Sequence, residues 1–202
     1  MSWHPEDMPF FLDGMGGYQR LEVDVRRFSA AGAAMLEGSR HGRQEFTSWA
    51  GGYEHETDTF LFSPYARVDA AEARLDGFLE LGDNPYALQY GPQQIDLRTT
   101  TLGFRMKFRK TIEWGELEPR VRVEFQRDFH DESGVAISYA NQASSPVFFT
   151  TPTGLDRSRI VVELGTLLRT NWYGLLLRVD YLGVFGGYND NEHMVRFSMQ
   201  ED

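Results

Sequence analysis

Four ionisable residues crowd one short stretch of this 202-residue chain: Asp128, His130, Asp131 and Glu132. A carboxylate beside an imidazole can activate water, so hydrolysis at the rim of a barrel is the chemistry that this spacing could support. We read the cluster as the solvated acidic base of a loop, with the hydrolase, built on Asp128 and His130, as an alternative. Elsewhere the reactive types are scattered. His4, His41, His55 and His193 show no zinc-type spacing, and there is no G-x-S-x-G for an esterase nucleophile. Asp190 and Glu192 flank Asn191, where calcium is conceivable, but the calcium-loop pattern of an EF-hand is absent. Gly14-Met15-Gly16-Gly17 lacks the lysine and the following helix of a phosphate loop. The chain has no cysteine, hence no disulfide framework and no thiolate metal site. The expectation is a protein without catalytic, cofactor-binding or metal residues.

Charged residues that alternate with apolar ones carry more information. In Arg120–Asp128, Val121, Val123 and Phe125 point one way, and Arg120, Arg122, Glu124, Gln126 and Asp128 the other. Leu175–Phe185 sets Leu175, Leu177, Val179, Tyr181 and Phe185 against Arg178 and Asp180. Arg159–Arg169 sets Ile160, Val162, Leu164 and Leu168 against Glu163 and Arg169. Arg98–Phe108 sets Leu102, Phe104, Met106 and Phe108 against Thr101, Gly103, Arg105 and Lys107. Each run has the roughly 9–11 residues that a tilted transmembrane strand requires. Phe60–Ala70 turns Phe62, Pro64, Ala66 and Val68 away from Tyr65, Arg67 and Asp69. Glu45–His55 turns Trp49 and Tyr53 outward and Ser48, Ala50 and Glu54 inward. With Phe10–Val23 first and His193–Met199 last, the sequence predicts eight strands. The candidate lining of an enclosed interior is Glu54, Arg67, Asp69, Arg105, Arg120, Arg122, Glu124, Glu163, Arg178 and Asp180.

Two segments also fit helices. Val68–Leu81 carries Val68, Ala71, Leu75, Phe78 and Leu79 on one stripe, and Ser29–Glu37 holds four alanines. Periodicity alone leaves strand and helix open there. The predicted connections alternate in length. Short ones lie at Glu56–Thr59, Lys110–Glu116 and Thr170–Gly174, long ones at Ser29–Arg43, Gly82–Gln94 and His130–Ser158. Short turns at one end and long loops at the other characterise outer-membrane barrels. Trp114, Trp172 and Tyr173 in the short turns suit an interfacial aromatic girdle.

Bulk properties set limits. The formal charge is −10, with 30 acidic against 20 basic residues and no basic stripe, which argues against nucleic-acid binding. No apolar run approaches the ~20 residues of a membrane-spanning helix. Mean hydropathy is −0.44, which barrel strands tolerate because half of their side chains are polar. The first residues, Met1-Ser2-Trp3-His4-Pro5-Glu6-Asp7, carry no secretory signal pattern, so a signal is expected to have been removed or to precede this stretch in a longer protein.

The order and spacing of several blocks then resemble the autotransporter β-domain. They are Leu61-Phe62-Ser63-Pro64-Tyr65-Ala66-Arg67-Val68-Asp69, Leu75-Asp76-Gly77-Phe78-Leu79-Glu80-Leu81-Gly82, Tyr86-Ala87-Leu88 and Thr101-Leu102-Gly103-Phe104-Arg105. Leu117-Glu118-Pro119-Arg120-Val121-Arg122-Val123-Glu124-Phe125 follows, then a bend at Gly186-Gly187-Tyr188 and a last strand with His193 and Phe197. The resemblance spans roughly residues 9–199. It implies an all-β, antiparallel up-and-down transmembrane β-barrel, the eight strands resembling the last eight of the family's twelve. Val68–Leu81 then becomes a long strand running into a surface loop. It also implies a translocator and anchor in the bacterial outer membrane, supporting export and surface display of a passenger domain. Expected partners are outer-membrane lipid, the barrel assembly machinery and a passenger missing from this chain.

The sequence departs from the family pattern in showing eight strands, no passenger and no linker helix. It also ends Phe197-Ser198-Met199-Gln200-Glu201-Asp202, where members commonly finish on an aromatic residue. Residues 1–8 are expected to be a disordered or linker N-terminus, and 9–202 the partial barrel domain. The alternative outside this class is a soluble eight-stranded barrel that binds a small apolar ligand, its apolar rows turned inward.

Overall fold

The computed structural model describes residues 1–5, 8–82, 84–129, 133–142, 145–150, 158–186 and 191–201. In chain order the strands are β1 (Ser2–Trp3), β2 (Phe10–Ser29), β3 (Ala34–Tyr53), β4 (His55–Glu56), β5 (Phe60–Leu75), β6 (Phe78–Leu79), β7 (Leu88–Tyr90) and β8 (Gln93–Phe108). There follow β9 (Lys110–Ile112), β10 (Gly115–Asp128), β11 (Val135–Tyr139), β12 (Phe148–Thr150), β13 (Ser158–Thr170), β14 (Leu175–Phe185) and β15 (Asn191–Glu201). No helix occurs among the described residues. Val68–Leu81 is therefore extended as far as Leu75, where period-two burial against β3 and β8 outweighs the helical stripe.

The main sheet runs β1-β2-β3-β5-β8-β10-β13-β14-β15, every neighbouring pair antiparallel, with β4 added to β5 and β9 to β10. Its eight long strands meet in sequence order, an up-and-down meander. Among the described residues the sheet is open: β15 pairs only with β14, and β2 has on its other side only Ser2–Trp3. The closed barrel expected from the sequence is thus present as an antiparallel sheet with two free edges. Ser2 and Trp3 pair with Asp13 and Leu12.

One expected long connection is absent. Ser29–Arg43 is not a loop: β2 and β3 stay in register from Phe10↔Tyr53 to Ser29↔Ala34 and turn only at residues 30–33, where Ala33 takes φ 47. This hairpin rises far beyond the length a bilayer requires. The segments expected to be long loops at 82–94 and 130–158 contribute strands to a second sheet, β12-β11-β7-β6. That sheet lies against the inner side of the tall hairpin. Phe78 covers Gly38, whose added Cβ would come within 2.6 Å of its ring, and Arg40 lies over the same ring at 5.9 Å. Leu36 is buried there.

The turns at the opposite end are tight. Tyr173 (φ 52) and Gly174 (φ 63) are the left-handed central pair of a β-turn closed by the Leu175 amide donating to the Trp172 carbonyl at 3.1 Å. Gly115 adopts φ 149, and a Cβ there would sit 1.9 Å from the Arg169 carbonyl oxygen, so only glycine fits.

Candidate functional site

The two faces of the main sheet differ in kind. Neighbouring residues on β10 make the point: Phe125 is 45% exposed and Glu124 is 2% exposed. On β8, Leu102 is 58% exposed and Thr101 fully buried. Val68, Trp49, Leu164, Ile160, Val179, Val195 and Phe197 are exposed with Phe125 and Leu102. Glu124, Thr101, Gln126 and Ser63 are sheltered. A water-soluble sheet does the reverse, because burying apolar area is what stabilises it. Such an inversion is stable where the medium outside is itself apolar. The soluble barrel with inward apolar rows is therefore not what the chain forms.

The outward face can be followed strand by strand. From the tight turns upward it reads Phe10, Leu12, Gly14 and Gly16 on β2; Phe60, Phe62, Pro64, Ala66, Val68 and Ala70 on β5; and Leu117, Pro119, Val121, Val123 and Phe125 on β10. About five outward residues per strand, spaced two apart at ~3.3 Å each and tilted ~40°, give a band about 25 Å tall. Trp114, Trp172 and Tyr173 mark its lower border, all exposed in the turns, and the Asn171 amide donates to the Trp114 carbonyl at 2.8 Å to tie two of those turns together.

The polar face gathers the ten residues singled out by the sequence, and each is ion-paired to another of the ten. Arg105 Nη2 donates to Glu54 Oε2 at 2.5 Å. Arg67 Nε donates to Asp69 Oδ2 at 2.9 Å, and its Nη2 lies 3.7 Å from Glu124 Oε2. Arg122 bonds Glu163, and its Nη1 lies 3.7 Å from Glu124 Oε1. Asp180 accepts from Arg120 Nη2 at 2.5 Å and from Arg178 Nε at 2.6 Å. Five arginines thus face five carboxylates.

Glycines permit the longest of these reaches. Tyr65 on β5 and Glu124 on β10 flank Gly103 on the strand between them, and the Tyr65 hydroxyl crosses it to donate to Glu124. A Cβ at Gly103 would stand 3.0 Å from both side chains. Gly165 plays the same part between Arg120 and Asp180, where a Cβ would come within 2.6 Å of the guanidinium.

Sequence reasoning missed the neutral members of this network. Ser48 Oγ donates to Asp69 at 2.5 Å, Gln126 Nε2 to Glu124 at 2.6 Å, and Arg159 Nε to Gln126 at 2.6 Å. Their polar parity was visible; the register that joins them was not. The Arg27–Glu80 pair was missed altogether. Glu80, buried just past the end of β6, accepts from Arg27 Nε at 2.9 Å and Nη2 at 2.6 Å, and from the Leu88 amide at 2.9 Å. Burial alone would raise the Glu80 carboxyl, but these donors outweigh it and hold it below the usual carboxylate range.

The suspected hydrolytic pair is only partly visible. Asp128 has both oxygens engaged, accepting from Thr99 Oγ1 at 2.6 Å and lying 3.9 Å from Arg159 Nη1. His130, Asp131 and Glu132 lie outside the described residues, as do Asp190 and the Gly187-Tyr188 bend. Among the described residues no group of three His, Asp or Glu side chains could hold a metal ion.

An apolar band on one face, an aromatic border and an ion-pair network on the other face of an antiparallel meander fit an outer-membrane β-barrel type of protein. The chain belongs to the autotransporter β-domain family, whose model matches residues 1–182, a family of outer-membrane translocator domains. No curated protein matches the chain.

Proposed function

We propose that this chain is an outer-membrane translocator and anchor domain that supports export and surface display of a passenger. The observation that carries the reading is the inverted polarity: exposed Phe125 and Leu102 beside buried Glu124 and Thr101. On this reading the bands of Val121, Val123, Leu164 and Val179 contact acyl chains. Glu54, Arg67, Asp69, Arg105, Arg120, Arg122, Glu124, Glu163, Arg178 and Asp180 line the interior. Because those ten are mutually paired, they act chiefly as a polar filling that fixes strand register. Anchoring is what these strands supply directly. Passage of an extended polypeptide needs a wider closed interior than eight strands enclose. Further partners on this reading are lipid and the machinery that inserts barrels; nucleic acid has no place in it.

The test takes the full chain through two stages. Purified protein is expected to need detergent to stay dispersed and to migrate faster on gels when unheated. Dispersal as a monomer in plain buffer would overturn membrane residence. A reporter fused ahead of Met1, behind a secretory signal, is then expected to become accessible to external protease on cells. A reporter that stays protected while the barrel is inserted would leave the anchor and remove the export role.

A further inference from the structure

Above the apolar band, the outward wall of neighbouring strands carries arginines in register. Arg20 of β2 pairs with Arg43 of β3, and Arg43 with Arg74 of β5. These strands run without interruption, so the three share the face of Gly14, Trp49 and Val68. With strands roughly 4.8 Å apart, three guanidiniums project side by side, an arrangement disfavoured by like-charge repulsion. Arg98 of β8, opposite Ala70, lies two rows lower on the same face, within the apolar band.

Carboxylates stand close by, since Glu45, Glu72 and Asp96 form the next row towards the band. They are barely used. Arg74 Nε donates to Glu72 Oε1 at 2.5 Å, whereas Arg20, Arg43 and Arg98 have no ion-pair partner among the described residues. Tyr18, Arg20, His41, Arg43 and Arg74 line a shallow groove of about 640 Å³, with one carboxylate, Asp76, at its edge.

Height decides what this groove meets. Ten residues separate Phe10 from Arg20 and Tyr53 from Arg43. At ~3.3 Å each and ~40° of tilt that is about 25 Å, the full apolar band. The guanidiniums therefore emerge where hydrocarbon ends and headgroups begin, facing away from the protein.

We infer that Arg20, Arg43 and Arg74 form a binding site for the phosphate of an anionic lipid headgroup. The guanidinium fork matches phosphate oxygens and offsets the mutual repulsion of the row. The site rests on the outward face lying in a bilayer, the membrane half of the function proposed above, and is independent of passenger export.

The full chain in a non-ionic detergent, offered phosphatidylglycerol or phosphatidylcholine, is read by native mass spectrometry. Wild type is expected to retain phosphatidylglycerol at least about fivefold better, the weight of one near-surface arginine. The combined Arg20→Gln, Arg43→Gln and Arg74→Gln variant is expected to lose that preference, with an unchanged circular dichroism spectrum. If it does not fold, Arg43→Gln alone is expected to halve the preference at least. Arg26→Gln, which removes an exposed charge paired to Glu37 higher on the hairpin, is expected to keep it. No lipid preference in wild type, or a full preference in the arginine variants, overturns the site. Inorganic phosphate binding as well as the lipid does, and displacing it, overturns the lipid assignment. A protein that needs no detergent fails the membrane reading first, and is told apart by that.

Discussion

At the scale of single residues, exposure separates charges that matter for stability from charges that do not. Arg120–Asp180 and Arg105–Glu54 are half-open pairs, a class whose contribution is usually about 0–1 kcal/mol. Arg27–Glu80 differs, because the carboxylate is buried and bound by three donors. Removing Arg27 strands that charge, so Arg27→Ala is expected to destabilise the packing of the second sheet on the hairpin by about 3 kcal/mol. The readout is amide exchange at Leu81 and Leu88, whose N–H groups bond the Glu37 carbonyl and the Glu80 carboxylate. The pH dependence follows from the lowered Glu80 carboxyl. Its stabilisation is fully present above the ordinary glutamate value, about 4.3, and is lost as pH falls through the lower folded value. Wild-type protection at those amides should therefore hold from neutral pH to about 5 and decline below 4. In Arg27→Ala it should be low throughout; an acid-independent, unweakened Leu88 amide would contradict the role given to this pair.

At the scale of elements, alternation made strands legible where one face meets lipid. Arg120–Asp128 and Leu175–Phe185 fall within β10 and β14, with their faces as expected. Alternation fades where the chain leaves the apolar band. Glu37–Arg43 has a polar outward side and an inward side of Gly38 and Arg40 against Phe78 and Gly42 against Leu75, so nothing in its pattern announces a strand. The second sheet was invisible for a different reason: β6, β7 and β12 have two or three residues each, too few for any period to show. Register was equally hidden, since Tyr65 meets Glu124 across 59 positions. What an element's two faces are worth can be measured. Val123→Arg, in the middle of the outward row of β10, is expected to cost about 2–4 kcal/mol in folding into lipid vesicles. Thr101→Ser, on the sheltered face of the neighbouring strand, should cost less than about 1 kcal/mol. Urea titrations of tryptophan emission in vesicles provide the comparison, and equal costs would mean that the outward row does not face hydrocarbon.

At the scale of the molecule, the unpaired edges set the strongest constraint. Every residue of β15 is exposed, including Met194, Val195, Phe197 and Met199, and among the described residues only β14 bonds it. β2 likewise offers most of its 20 residues unpaired on one side. In water a long free edge recruits other strands. In hydrocarbon it is worse, because each unpaired N–H or C=O costs several kcal/mol and no solvent can replace the missing partner. The membrane-inserted state must therefore satisfy both edges, whether by joining them to each other or by pairing them with other strands. Hydrogen exchange can detect this, since half of the β15 amides point away from β14. In detergent solution at low protein concentration those amides are expected to exchange quickly while β10, bonded on both sides, exchanges slowly. After insertion into vesicles the same β15 amides should slow to within about tenfold of β10. If alternate β15 amides stayed fast in fully inserted protein, the sheet would be lying at the membrane surface instead of crossing it, and the interior assigned to the ten paired charges would not exist.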